Sequence, residues 1–152
     1  MKDKLFLMIP GPTPVPETVL LAMAKHPIGH RSGEFEAILK YCYDGLKEIF
    51  QTKNDVFIYA SSGTGAMEAA LSNLVNEGDK VLSLSLGNFG NRWAKIAKSL
   101  GANVQTIEKA YGETVSPEEL KAVLDADTNK EKKIVTMTHS ETSTGAKNDI
   151  QA

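Results

Sequence analysis

The sequence predicts an α/β protein with a mainly parallel sheet flanked by helices. From residue 56 onward, short apolar runs alternate with stretches of helical period, strand then helix, joined by short links. The part before residue 56 reads instead as a proline-rich arm followed by helical patterns.

In chain order, "GPTPVPET" (11–18) places three prolines within five positions, so this arm is extended and partly rigid. A short helix over "ETVLLAMAK" follows. Residues 32–50 predict a longer helix, with Phe35, Ile38, Leu39, Cys42, Leu46, Ile49 and Phe50 forming one apolar stripe. Cys42 on that stripe reads as core. "VFIYA" (56–60) predicts the first strand, buried. The next helix puts Met67, Ala70, Leu71 and Leu74 on one face and stops at "NEGD" (76–79). "KVLSLSL" (80–86) predicts the second strand. A helix over 88–100 aligns Phe89, Trp93, Ile96, Ala97 and Leu100, with Gly101 closing it. "NVQTIE" (103–108) is the third strand. "SPEEL" (116–120) is a capping box, with Ser116 as N-cap, Pro117 first in the helix and Glu119 at the third position. That helix should bury Leu120, Val123 and Leu124. "KIVTMTH" (133–139) is the fourth strand.

Bulk composition narrows the function classes. The 152 residues suit one domain, and 41% hydrophobic with 24% charged content is ordinary for a soluble globular protein. Seventeen Lys and Arg against 19 Asp and Glu leave a net charge of −2, which gives no electrostatic case for nucleic acid or an anionic membrane. A single cysteine excludes an internal disulfide and fits a reducing, cytoplasmic setting. No stretch is apolar enough to span a bilayer. The start of the chain meets an acid and prolines too early for a signal peptide. His26 and His30 are four apart, but Pro27 and Gly29 forbid the helix that a zinc pair needs, so no metal site is expected. His139 beside Ser140 lacks the G-x-S-x-G elbow of a hydrolase.

Ligands of such sheets bind beyond the carboxyl ends of the strands. Three turns at that edge are rich in Gly, Ser, Thr and Asn: "SSGTGA" (61–66), "GNFGNR" (87–92) and "HSETSTG" (139–145). The first is no P-loop, because no lysine completes it. It is no dinucleotide fingerprint either, because Glu68 stands where the third small residue belongs. A single phosphate on Ser62, Thr64 and the N–H groups of 63–66 suits it; a plain tight strand-to-helix turn suits it equally. Phe89 is the aromatic of this cradle, placed to stack on a ligand or else to pack in the core.

The runs "MIPGPTPVPETVLLAM", "HRSGEF", "SSGTGAMEAALSNL", "GDKVLSLSLGNFGNRW" and "HSETSTG" together resemble the class V aminotransferases, most nearly the alanine–glyoxylate and serine–glyoxylate group. The resemblance implies part of the large domain of a fold-type I pyridoxal-phosphate enzyme. Residues 1–31 would be an N-terminal arm with a short helix, and 32–152 an incomplete cofactor-binding α/β domain. It implies pyridoxal 5′-phosphate as cofactor, with one phosphate and one aromatic ring to be held. Ser62, Gly63 and Thr64 match the phosphate-holding turn, where relatives often have histidine in place of Thr64. Phe89 matches the ring-stacking aromatic, where relatives often have tryptophan. Thr142 matches the contact to the phenolic oxygen, and Gly11 a backbone segment bordering the substrate. His30 and Arg31 match a recurrent motif with no role assigned.

The resemblance also implies a catalytic lysine, an acid for the pyridinium nitrogen and an arginine for the substrate carboxylate. All three fall further along than residue 145. No lysine here matches the catalytic one, and Lys147 lies in the wrong segment. The chain is thus expected to be the N-terminal portion of a homodimeric transaminase acting on alanine or serine and a keto acid such as glyoxylate, and inactive as this segment alone. The alternatives are a class V lyase or desulfurase, or a non-catalytic α/β module binding a phosphorylated ligand.

Overall fold

The computed structural model describes residues 6–151. These fall into two compact units, Met1–Ile58 and Tyr59–Ala152.

In the first unit, α1 (Glu17–Met23) starts directly after Pro16. The second helix, α2 (Gly33–Ile49), is capped by Ser32, whose Oγ accepts from the Phe35 N–H at 3.2 Å. Glu34 and Glu36 in its first turn and Lys47 in its last complement the helix dipole. The expected helix therefore forms, but its stripe is not core. No residue of α2 is buried, Ile49 is 76% exposed, and Cys42 lies on the surface rather than in the interior. Periodicity places apolar residues on one face; burial needs a second element over that face, and the described residues of this unit leave Phe35, Leu39 and Leu46 only half-covered.

Residues 56–60 also depart from expectation. They form no strand, and Phe57 (72%), Ile58 (51%) and Tyr59 (56%) are exposed. An extended segment becomes a strand through a hydrogen-bonded neighbour, and no strand among the described residues pairs with it.

The second unit holds α3 (Gly63–Ser72), β1 (Lys80–Ser85), α4 (Asn88–Ser99), β2 (Asn103–Glu108), α5 (Pro117–Asp125), β3 (Lys132–Met137) and a small hairpin, β4 (Ser140–Glu141) and β5 (Ala146–Lys147). The main sheet is parallel throughout, in the order β2-β1-β3, with Val81 beside Val104 and Ile134, and Leu84 beside Ile107 and Met137.

Central β1 explains the Leu–Ser alternation. Leu82 and Leu84 point to one face, where with Leu86, Ile107, Val115 and Ala146 they make a core completed by Leu120, Val123 and Met137. Val81 points to the other face, packing with Leu71, Ala97, Ala102, Trp93 and Ile96. Ser83 and Ser85 share that second face and are fully buried. Their polar atoms are satisfied there: Thr136 Oγ1 donates to Ser83 Oγ at 3.0 Å, and Ser83 and Ser85 donate to the carbonyls of Gly90 and Gly87. Alternation in this strand separates a bulky face from a close-approach face, not a core face from water.

Helix α3 is shorter than expected: it ends at Ser72, and only Leu71 of the predicted face is buried, with Ala70 and Leu74 exposed. Leu120 and Val123 of α5 are half-buried, whereas Leu124 is 39% exposed. The Ser116 N-cap forms as read, with Oγ accepting from the Glu119 N–H at 3.1 Å, but the return bond of the expected capping box is not among those of the described residues: Glu119 Oε2 pairs with Lys109 Nζ at 2.6 Å. Ser116→Ala should therefore lower stability by about 1 kcal/mol, read as a lower urea midpoint at unchanged m-value. Among the described residues no helix is long and apolar enough to cross a membrane.

Candidate functional site

Two helices begin at the carboxyl edge of the sheet, and their N-termini differ. Ser62 is the N-cap of α3 with extended backbone, yet its hydroxyl caps nothing, unlike those of Ser32 and Ser116. The N–H groups of Gly65 and Ala66 donate to the Ser62 carbonyl, and those of Gly63 and Thr64, without an acceptor among the described residues, are left for one from elsewhere.

The N-terminus of α4 is filled. Its N-cap is Gly87, which has no side chain to offer. The hairpin supplies the acceptors across more than fifty residues of sequence. Glu141 accepts from the N–H of Phe89 (3.2 Å to Oε1, 3.1 Å to Oε2) and from that of Gly90 at 2.9 Å. Ser143 Oγ accepts from the Asn88 N–H at 2.9 Å and donates to Glu141 Oε1 at 2.6 Å, while the Ser143 N–H donates to the same oxygen. A Cβ on Gly87 would lie 2.4 Å from Ser143 Oγ and 2.9 Å from Glu141 Cγ, so this approach requires glycine. Burial pushes the Glu141 carboxyl up, but the hydrogen bonds from the Ser143 hydroxyl and from the N–H groups of Gly90, Phe89 and Ser143 outweigh it. The net position is below the ordinary glutamate value of 4.5. The carboxylate is thus ionised, 1% exposed, and aimed at the positive end of a helix dipole.

The hairpin is itself anchored. Asn148, buried, donates from its N–H to the His139 carbonyl (2.8 Å) and from Nδ2 to the Thr138 carbonyl (3.0 Å), while its Oδ1 accepts from the Val115 N–H (3.3 Å).

Arg92, one turn beyond Phe89 on α4, joins the remaining turn to this assembly. Its Nη1 donates to Thr64 Oγ1 at 2.8 Å, and its guanidinium carbon lies 4.8 Å from the centre of the Phe89 ring. A continuous path of contacts therefore runs from Thr64 through Arg92 and Phe89 to Glu141 and Ser143.

The three turns read from the sequence meet at this edge. Thr64 and Phe89, both half-buried, share Arg92; Ser62 and Gly63 are exposed beside Thr64; Thr142 is exposed in the hairpin turn between Glu141 and Ser143. Gly11 lies in the first unit, on an exposed bend. Sequence reasoning missed Glu141 and Arg92. The signal for the first was a helix starting at a glycine: with no side chain to cap it, its N–H groups require an acceptor from another turn. Thr138 Oγ1, at the end of β3, is buried with no hydrogen-bond partner among the described residues.

The parallel sheet carries helices on both faces and gathers its polar turns at the carboxyl edge, where open α/β sheets bind their ligands. The chain belongs to the aminotransferase class-V family, whose profile matches residues 5–152. It is 51% identical over 152 residues to a protein named soluble hydrogenase, small subunit, from Synechococcus, covering all of this chain and 40% of that protein. It is 39% identical over 147 residues to the serine–glyoxylate aminotransferase of Methylorubrum extorquens, covering 96% of this chain and 37% of that one. Among solved structures, the alanine–glyoxylate aminotransferase of Nostoc superposes with a TM-score of 0.85 at 37% identity, over 97% of this chain and 39% of its own. The chain thus spans about two fifths of the length of these relatives.

Proposed function

We propose that the protein carrying this chain is a pyridoxal-phosphate-dependent transaminase that passes the amino group of alanine or serine to a small keto acid such as glyoxylate. The observation behind this reading is the asymmetry of the two helix N-termini. That of α4 is closed by Glu141, whereas that of α3 keeps the N–H groups of Gly63 and Thr64 and the Ser62 hydroxyl uncommitted among the described residues. A phosphate needs the second kind of end. In this reading the N–H groups after Ser62, with the hydroxyls of Ser62 and Thr64, bind the phosphate. Phe89 stacks on the ring, Thr142 meets its hydroxyl, and Gly11 borders the substrate. Bound there, pyridoxal 5′-phosphate supplies an aldehyde that takes up the amino group and a ring that accepts an electron pair. Phe89 restricts the ring to one plane, with Glu141 fixing the backbone that carries it. The lysine and acid that complete the chemistry are assigned to other parts of the protein, and a homodimer in the cytoplasm is its proposed setting.

The test uses the whole protein, incubated with pyridoxal phosphate, glyoxylate and either L-alanine or L-serine. Glycine should form only when the cofactor is present, and the cofactor's absorption should shift on binding. Cofactor-independent dye reduction by hydrogen, with no glycine formed, would favour the role named for the Synechococcus relative instead.

A further inference from the structure

We propose that Arg92 is a positioning residue that sets both the direction of the Thr64 hydroxyl and the free face of Phe89. The inference rests on the cofactor reading above and adds a residue to it.

A guanidinium only donates hydrogen bonds. Because Arg92 Nη1 donates to Thr64 Oγ1 at 2.8 Å, that oxygen is committed as acceptor on this side, and its own hydrogen must seek another acceptor. A phosphate oxygen only accepts, so the hydroxyl is turned into the donor that such a group requires. The same guanidinium lies over the Phe89 ring, with its carbon 4.8 Å from the ring centre. It covers one face, so a flat ligand can stack only on the other.

Sequence spacing makes this arrangement stable. Arg92 and Phe89 are three residues apart on α4 and so stand one above the other on the same side of the helix. Among the described residues no carboxylate pairs with Arg92, although it is half-buried. Its charge is therefore available to an anion at the start of α3, where Thr64 sits. Lysine would keep the charge but not the fork that bonds Thr64 while its central carbon stays over the ring.

The experiment compares pyridoxal phosphate with pyridoxal, which lacks the phosphate, by titration of the whole protein followed by absorbance and cofactor circular dichroism. Arg92→Met and Thr64→Val should each weaken pyridoxal phosphate binding about tenfold; Thr64→Val should leave pyridoxal affinity unchanged, whereas Arg92→Met should lower it by a smaller factor, through the ring alone. The double variant should lose less than the product of the two single losses, because both act in part through one hydroxyl. Arg92→Lys, the variant that carries the test if Arg92→Met fails to fold, should recover only part of the affinity. A merely structural Arg92 would weaken both ligands equally or give additive losses; either result, or wild-type affinity in folded Arg92→Met, overturns the inference. Failure of the wild-type protein itself to bind pyridoxal phosphate would overturn the cofactor reading and this inference together.

Discussion

Glu141→Ala is expected to destabilise the protein by about 3 kcal/mol, because three backbone donors, one buried and two half-buried, lose a charged acceptor at once. The N–H groups of Phe89, Gly90 and Ser143 all point at this carboxylate, which is 1% exposed. Water entering the space left by the side chain would recover part of that loss, so the figure lies well below the sum of the individual bonds. Glu141→Gln keeps the shape but places an NH₂ group where only an acceptor fits, so it should also destabilise, by less than alanine. The sign of the pH effect follows from the lowered folded value of this group. A depressed carboxyl contributes stability that is fully present above its unfolded value, about 4.5, and is lost as pH falls below it through the folded value. The gap in stability between wild type and Glu141→Gln should therefore be widest at neutral pH and narrow below about pH 4.5. Urea unfolding of both proteins at pH 7 and at several values below 4.5 measures it; a gap that stays constant with pH would mean that the carboxylate charge is not what holds the turn. Phe89 should be released at the same time, weakening pyridoxal phosphate binding even in the fraction that remains folded.

That residue also marks where sequence reasoning stops. Local features were readable. Ser116 sits three residues from the N–H it caps, and the strand at 103–108 declares itself by its own alternation and its bounding Gly101. The meeting of the second and third polar turns at one edge followed from topology, since each comes after a strand of the parallel sheet, whereas the first joins them through Arg92 although residues 56–60 form no strand. What was not readable depends on distant partners. Residues 56–60 have strand composition but no ladder neighbour, and Cys42 has a helical stripe with nothing over it. Glu141 reaches back more than fifty residues to a helix whose glycine N-cap could not serve itself. Arg92 looked like any helix arginine until Thr64 arrived beside it from another helix. The serines of β1 show the same limit from the other side. The alternation was visible, but its meaning, small residues under a helix that comes close, lies in Gly90 rather than in the strand.

Gly90 gives the sharpest contrast in expected outcome, because the same substitution elsewhere should have the opposite sign. In a helix, Gly→Ala is favoured by up to about 1 kcal/mol of propensity, since alanine has less backbone freedom to lose. Gly45, in the middle of α2, has nothing within 4 Å of where a Cβ would stand, so Gly45→Ala should raise stability by roughly that amount. Gly90 is buried in the first turn of α4, and a Cβ there would stand 2.7 Å from Ser85 Cα and 3.0 Å from the Leu84 carbonyl oxygen. Both are backbone atoms of the central strand, so no rotamer change can clear them. The helix start must lift from the sheet instead, at a cost of about 1–3 kcal/mol that exceeds the propensity gain. Lifting α4 stretches the bonds from Phe89 and Gly90 to Glu141 and carries the aromatic ring with it, so Gly90→Ala should lose cofactor affinity as well as stability. Gly90→Val, with two more methyl groups against the same backbone, should fail to give a folded second unit at all. Denaturant midpoints of Gly45→Ala and Gly90→Ala moving in opposite directions are the expected result; a shift of both in the same stabilising direction would show that α4 does not seat against β1 as closely as these distances require.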